Sequence, residues 1–250
     1  MKKLVILFML AACLLSCQRK MYVAQATGEI LMIDSTLDAI QDTAYLNHLL
    51  PIKEDLEHQL NIPIGYAPKA LEVYAPECPM LNWASDALWA IAKQRYPGHV
   101  DVAVVNIGGM RSEWAAGDIT FRHVFELMPF DNMLVVLTLQ GGDLQQLCEI
   151  FASSGGQGIA GMRIKTFGDP VMQQEVAVTI NGQPLDYSKT YTVATSDYLS
   201  QGNDGMIPLK NHIALWNSEE KIRDLYIEYI KQVKTVEAKV DGRMEVFPRH

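Results

Sequence analysis

The sequence predicts a mixed α/β domain, with α+β character, on three observations. Apolar residues recur at helical spacing in two long segments, Trp83, Ala84, Ala87, Leu88, Ile91 and Ala92 within 82–95, and Ile222, Leu225, Tyr226, Tyr229 and Ile230 after Ser218. Short apolar runs bounded by turn residues, at 101–105 and 133–139, are strand-like. The two kinds of segment are interleaved along the chain instead of segregated. At 250 residues and 49% hydrophobic composition the chain can bury a substantial core. It carries no internal repeat and no low-complexity linker, so one mature domain over 28–250 is the simplest partition.

In chain order, GEILMID at 28–34 is a predicted strand. Residues 49–60 form a predicted helix, which Pro51 either opens at its first turn or kinks. The helix of 82–95 has Asn82 as its expected cap. Asp101 to Val105 is a buried strand ending at Asn106-Ile-Gly-Gly-Met-Arg111, where paired glycines permit a tight turn. Met133 to Leu139 is a strand running into Gly141-Gly142 and a helix over 143–151. Strands follow at 163–166, 176–180 and 190–195, with Asn181-Gly182 supplying the positive-φ pair of a type I′ hairpin. The last helix is expected to start at Ser218, a cap preceding Glu219 and Glu220 at the positive end of the dipole.

The opening MKKLVILFMLAACLLSC combines a basic start, an apolar run too short to span a bilayer, and Ser16 directly before Cys17. It resembles a bacterial lipoprotein signal: residues 1–16 are removed, Cys17 receives lipid, and 17–27 form a tether. An ordinary cleaved signal peptide is the plainer alternative. Each buried acyl methylene is worth about 0.8 kcal/mol, so multiple acylation anchors a chain stably. The expected location is the bacterial cell envelope, lipid-anchored at the outer membrane or facing the periplasm. Removing a leader that carries Lys2 and Lys3 leaves 19 basic against 29 acidic residues and takes the net charge from -8 to -10. That field disfavours nucleic-acid polymers and leaves room for small anions held by local arginines. Two further cysteines remain, Cys78 and Cys148. They can pair in an oxidising compartment, although Leu144, Leu147, Cys148 and Phe151 share helical spacing that suits Cys148 to a core.

Little in the chain suggests self-sufficient chemistry. The six histidines are scattered, none at metal-ligand spacing, and neither a Gly-x-Ser-x-Gly elbow nor a Ser-x-x-Lys motif is present. Glu77 and Asp86 could be imagined as paired carboxylates, but acids near a helix start more often serve the dipole or a turn. Three polar turns offer more: NIGGMRSEW, MPFDN and ATSDYLSQGNDGM. Arg111 supplies a planar cation, Asn106 and Asn132 can read base or ribose edges, Asp204 accepts from hydroxyls, and Phe130 and Tyr198 present flat faces. Each has a structural alternative. Asn203-Asp204-Gly205 can be a simple turn, Gly108-Gly109 a bare turn, and Phe130 the edge of a core.

These segments resemble, in order, the C-terminal substrate-recognising domain of the 5′-nucleotidases, a family that includes UDP-sugar hydrolases and ecto-nucleotidases. The blocks are Glu77-Cys-Pro-Met-Leu-Asn82 with Asp86, Asn106-Ile-Gly-Gly-Met-Arg111, Ala116-Gly-Asp-Ile-Thr120 and Met128-Pro-Phe-Asp-Asn132. Ser154-Gly-Gly, Ala160-Gly-Met-Arg163 and Ala194-Thr-Ser-Asp-Tyr-Leu-Ser-Gln-Gly-Asn-Asp-Gly205 complete the series. The resemblance implies a layered domain of mixed β-sheets flanked by helices. It also implies that Phe130 and Tyr198 sandwich a base, that Asn106, Gly109 and Arg111 contact base and phosphate, that Asn132 joins them, that Asp204 takes ribose, and that Gly155 or Gly156 approaches the ring.

Two departures stand out. Ala75-Pro76 occupies the place where the family commonly has an arginine before Glu77, and the Gly155 loop is one residue shorter. The family's metallophosphoesterase domain, which carries two divalent metal ions and the catalytic histidine, is not among these 250 residues. The resemblance therefore implies a nucleotide or nucleotide-sugar ligand, no catalytic residue and no cofactor in this chain, and a separate metallophosphoesterase subunit holding both metals. The alternative is a stand-alone nucleoside- or nucleotide-binding envelope lipoprotein without turnover.

Overall fold

The structure, a computed structural model, describes residues 42–169 and 173–246 together with isolated positions from residue 25 onward. The expected leader and Cys17 lie outside the described residues. By its internal contacts the chain divides at Pro51 into two units, 1–50 and 51–250. In the first, the described positions Gly28, Ile30, Met32 and Ile33 are exposed and outside any strand, whereas Glu29, Leu31 and Asp34 fall outside the described residues. The strand expected over 28–34 is thus not formed at the described positions, where the apolar run has no partner ladder to join. Helix α1, Thr43–Leu60, contains Pro51 in its interior and not in its first turn.

The second unit is built on a five-stranded sheet. Its strands are β2 (Val102–Val105), β4 (Met133–Gln140), β5 (Gly158–Ala160), β9 (Thr190–Ser196) and β10 (Ala214–Lys221), in the order β10-β4-β9-β2-β5. Both faces are buried, which is why 102–105 and 133–139 are near-continuous apolar runs, broken only by Thr138, instead of alternating ones. Successive side chains leave for opposite cores: Ala103, Val105, Leu134, Val136 and Ala194 enter one, Val102, Val104, Val135, Leu137, Leu139 and Val193 the other. Helices α2 (Pro79–Arg95) and α6 (Ile222–Val233) cover the first face, with the ribbon of β1 (Pro63–Ala67) and β3 (Gly117–Thr120) and the short α3 (Phe121–Leu127). Trp83, Trp114 and Tyr226 meet there at ring-centroid distances of 4.8 and 5.2 Å. Helix α4 (Gly141–Ser153) and a second sheet cover the other face. That sheet consists of β6 (Met162–Asp169), β7 (Gln173–Ile180), β8 (Gln183–Pro184) and β11 (Met244–Glu245), in the order β11-β6-β7-β8. Asn181 and Gly182, at φ 52° and 76°, make the expected tight hairpin between β7 and β8.

Three local expectations are corrected. Helix α2 starts earlier than Asn82: Pro79, lacking an N–H, takes the first turn, and the Cys78 sulfur accepts from the Leu81 amide at 3.4 Å. Asn82 is buried and donates to Glu77 Oε1 at 2.7 Å and to the Lys239 carbonyl at 2.9 Å. The last helix starts later than Ser218. Pairing of β10 with β4 continues past a bulge to Lys221 opposite Met133, so the Ser218 hydroxyl donates to the Leu134 carbonyl instead of capping. Helix α4 takes Gly141 and Gly142 into its first turn. Cys78 and Cys148 are both free and buried, each in a different core, and burial pushes the Cys148 thiol well up. No helix among the described residues is long and apolar enough to cross a membrane.

Glu77 and Asp86 have structural roles. Glu77 accepts from Asn82 and from the Asp241 amide at 2.8 Å. Asp86 receives Arg243 through two bonds of 2.6 and 3.1 Å, and the same guanidinium reaches Asp241 at 2.9 Å. Hydrogen bonding from Arg243 holds the Asp241 carboxyl below its ordinary value. A lowered folded pKa stabilises above the unfolded carboxylate value and loses that stabilisation as pH falls through the folded one. Melting curves between about pH 5 and 2 should therefore fall less steeply for Arg243→Met than for the unaltered protein. Equal slopes would show that this pair carries no linkage.

Candidate functional site

The sheet's topology gathers three loops at one edge. Strands β2 and β9 run parallel, and β4 runs antiparallel to β9, with Leu134 opposite Ser196. The exits of β2 and β9 and the entry of β4 therefore share one end of the sheet, the usual location of ligand crevices in sheets with parallel strands. The loops are 106–111, 128–132 and 197–205, the last opening with the short helix α5 (Asp197–Ser200). Asn106, Gly108, Gly109, Arg111, Phe130, Asn132, Tyr198 and Asp204 line one cleft of about 160 Å³. Seven of the nine residues expected to bind ligand are thus brought together.

Gly155 and Gly156 do not line this cleft. They end helix α4, with φ of 91° and 110°, and the Gly156 amide donates to the Phe151 carbonyl at 2.8 Å in a Schellman-type stop. A Cβ on Gly156 would stand 2.3 Å from the Pro76 carbonyl oxygen, so the place where Ala75-Pro76 replaces the expected arginine is packed against a glycine. Neither Arg122, paired with Glu57, nor Arg163, beside Asp241, lines the cleft.

The lining is polar and pre-set. Asp204, in the left-handed region at φ 54°, accepts from Asn106 Nδ2 on one oxygen and from the Tyr198 hydroxyl, at 3.0 Å, on the other. That bond, first, and partial burial, second, raise the Tyr198 pKa. An added Cβ on Gly109 would meet Asn106 Oδ1 at 2.6 Å, so this glycine leaves the amide its rotamer. The Arg111 guanidinium lies 5.3 Å from the Phe130 ring centroid and has no ion-pair partner among the described residues. Phe130 is half-buried and packs on the first core, whereas Tyr198 is 42% exposed.

Residues missed from the sequence hold the walls. Asp197 Oδ1 accepts from the amides of Met133 at 3.0 Å and Tyr198 at 2.8 Å, tying the second loop to the third. Gln157 Oε1 accepts from the Ile107 amide at 2.8 Å and fixes the glycine turn. Asn203 Nδ2 donates to the Tyr198 carbonyl at 2.8 Å. Nothing local marks the first two residues, since their partners lie in other loops.

The cleft lining holds one carboxylate, Asp204, and no histidine or cysteine. Among the described residues no group of three His, Cys, Asp or Glu side chains is placed to hold an ion. His123 sits against Thr120 in a helix cap, His99 beside Asp101, and His212 at the Leu209 carbonyl.

The family model for the 5′-nucleotidase C-terminal domain matches residues 63–211, a segment that contains the whole cleft. The protein UshA of Yersinia enterocolitica is 30% identical over 191 residues, covering 74% of this chain and 34% of that protein. The 5′-nucleotidase of Mus musculus is 28% identical over 192 residues, covering 68% and 33%. The chain therefore spans about a third of the length of these curated relatives. A 5′-nucleotidase precursor from Thermus thermophilus superposes with a TM-score of 0.70 at 25% identity, covering 83% of this chain and 44% of that one. With a mixed α/β architecture, a cleft on the shared sheet edge and a matched segment spanning both, the chain belongs to the family of 5′-nucleotidase C-terminal domains.

Proposed function

We propose that this chain is the nucleotide-recognising half of a split 5′-nucleotidase or nucleotide-sugar hydrolase, carried on the cell envelope by lipid at Cys17. The observation that supports it most is a single cleft lined by two aromatic side chains, three hydrogen-bonding side chains and an arginine without an ion-pair partner among the described residues. At about 160 Å³ the cleft lies below the roughly 300 Å³ lower end of pockets that enclose a whole small molecule. In this reading a flat ring inserts between Phe130 and Tyr198, and sugar and phosphate stay outside the cleft. Stacking gains about 1–3 kcal/mol per base and tolerates several bases. Asp204 keeps lone pairs for ribose hydroxyls beyond its two internal bonds, and Asn106 and Asn132 offer amide groups to the ring edge. Arg111 meets the anionic end with a planar fork.

In this reading the chain binds and orients, and a separate metallophosphoesterase subunit supplies the two divalent ions that activate water. No side-chain group described in this chain fits those ions, so no step of the hydrolysis is assigned to it. Titration calorimetry with AMP, adenosine and UDP-glucose should show binding, while the isolated chain should release no phosphate from AMP with magnesium, manganese or zinc. Robust turnover by the single chain would refute the split. Binding that persists without turnover beside a co-expressed phosphoesterase would favour a stand-alone binding lipoprotein. Failure to bind all three ligands would remove the nucleotide reading altogether.

A further inference from the structure

The loop that carries Phe130 and Asn132 is pinned by three consecutive residues at the junction of β10 and α6. Lys221 Nζ donates to Asp131 Oδ2 at 2.9 Å, and Arg223 Nη2 donates to Asp131 Oδ1 at 2.8 Å. Between them, the Ile222 amide donates to the Asn132 carbonyl at 2.9 Å, and Arg223 Nη1 reaches the Phe130 carbonyl at 3.4 Å. Arg223 is itself fixed: its side chain is 11% exposed and its guanidinium lies 4.3 Å from the Phe125 ring centroid. Its Nε makes no hydrogen bond and faces Asp224 at 3.8 Å. The Asp131 carboxylate and the carbonyls of Phe130 and Asn132 are thus engaged by one short segment.

We infer that Asp131, held by Lys221 and Arg223, is a positioning latch that sets the Phe130–Asn132 wall of the cleft. Asp131 does not line the cleft; it acts through its neighbours. Asp131 itself is 64% exposed, so its pairing contributes little to global stability. Its two-cation geometry instead restricts a loop, 128–132, that contains Pro129 and runs directly into Met133, the first residue of β4. Hydrogen bonds from Lys221, first, and Arg223, second, hold the Asp131 carboxyl below its ordinary range. The planar fork of Arg223 is the part that lysine cannot replace, because only the fork reaches Asp131 and the Phe130 carbonyl together while stacking on Phe125.

The effect on affinity rests on the nucleotide-binding reading of the cleft, but the effect on the loop does not. The test therefore has two arms. Hydrogen exchange followed by mass spectrometry, with no ligand present, should show faster exchange in peptides covering 128–134 for Asp131→Ala and Arg223→Lys, with the remaining peptides unchanged. Unaltered protection in that segment, or a general loss across the molecule, overturns the latch whatever the cleft binds. In the second arm AMP affinity should fall by about fivefold in Asp131→Ala, and the loss should shrink when Phe130→Ala is already present, since coupled residues are non-additive. Equal losses in both backgrounds, or no loss where the unaltered protein binds AMP, also overturn it. Failure of the unaltered protein to bind AMP, adenosine and UDP-glucose would remove the nucleotide reading and leave the exchange result to decide the latch.

Discussion

Tyr198→Ala is expected to weaken nucleotide binding roughly tenfold to a hundredfold, the consequence of losing one base-stacking face, while moving the melting temperature by no more than about 2 °C. The asymmetry follows from placement. Tyr198 is 42% exposed, and its hydroxyl is spent on Asp204 within the cleft. Phe130 lies on the opposite footing, half-buried and packed on the core under α2 and α6. Phe130→Ala should cost affinity by a similar factor and also lower stability by about 1–2 kcal/mol, less than the 3–5 kcal/mol of a fully buried ring. Tyr198→Phe separates the ring from its hydroxyl: stacking is retained, and the Asp204 carboxylate loses one of its two internal partners. Calorimetry and thermal melts on the three variants measure both quantities. A Tyr198→Ala protein that loses stability in step with affinity would show that the ring is structural.

What could be read from the sequence was what short segments encode. Two-sided burial made 102–105 wholly and 133–139 almost wholly apolar, and the Asn181-Gly182 pair marked its hairpin without outside help. The three cleft loops were visible as polar turns after apolar runs, and resemblance to a family ordered them. The caps at Ser218 and Asn82 were displaced at least in part by partners remote in sequence. Ser218 looked like a cap until β10 paired with β4, and Asn82 until Glu77 and Lys239 claimed its amide. Gln157 meets Ile107 across 50 residues, Asp197 meets Met133 across 64, and Arg223 meets Asp131 across 92. Such pairs exist only because the order β10-β4-β9-β2-β5 folds the loops onto one edge. A single-residue pattern cannot encode that order.

Gly156→Ala is expected to produce the largest loss of stability, about 3 kcal/mol or more, from two additive sources. At φ 110° an alanine is strained, and its Cβ would stand 2.3, 2.7 and 2.8 Å from three backbone atoms of Pro76. Those atoms are main chain, so no rotamer change relieves the overlap, and for a unit of about 200 residues the melting temperature should fall by about 10 °C. The consequence reaches the cleft although Gly156 does not line it. The next residue, Gln157, accepts from the Ile107 amide, and Ile107 follows Asn106, whose amide donates to Asp204. Displacing 156 is therefore expected to displace the glycine turn, so that the substitution reaches the cleft through the backbone. Gln157→Leu supplies the contrast: it removes the bond to Ile107 without strain, so it should weaken AMP binding while leaving most of the melting temperature intact. If Gly156→Ala melts normally, the close packing on Pro76 is wrong. If Gln157→Leu binds AMP as tightly as the unaltered protein, the turn needs no support from helix α4's end.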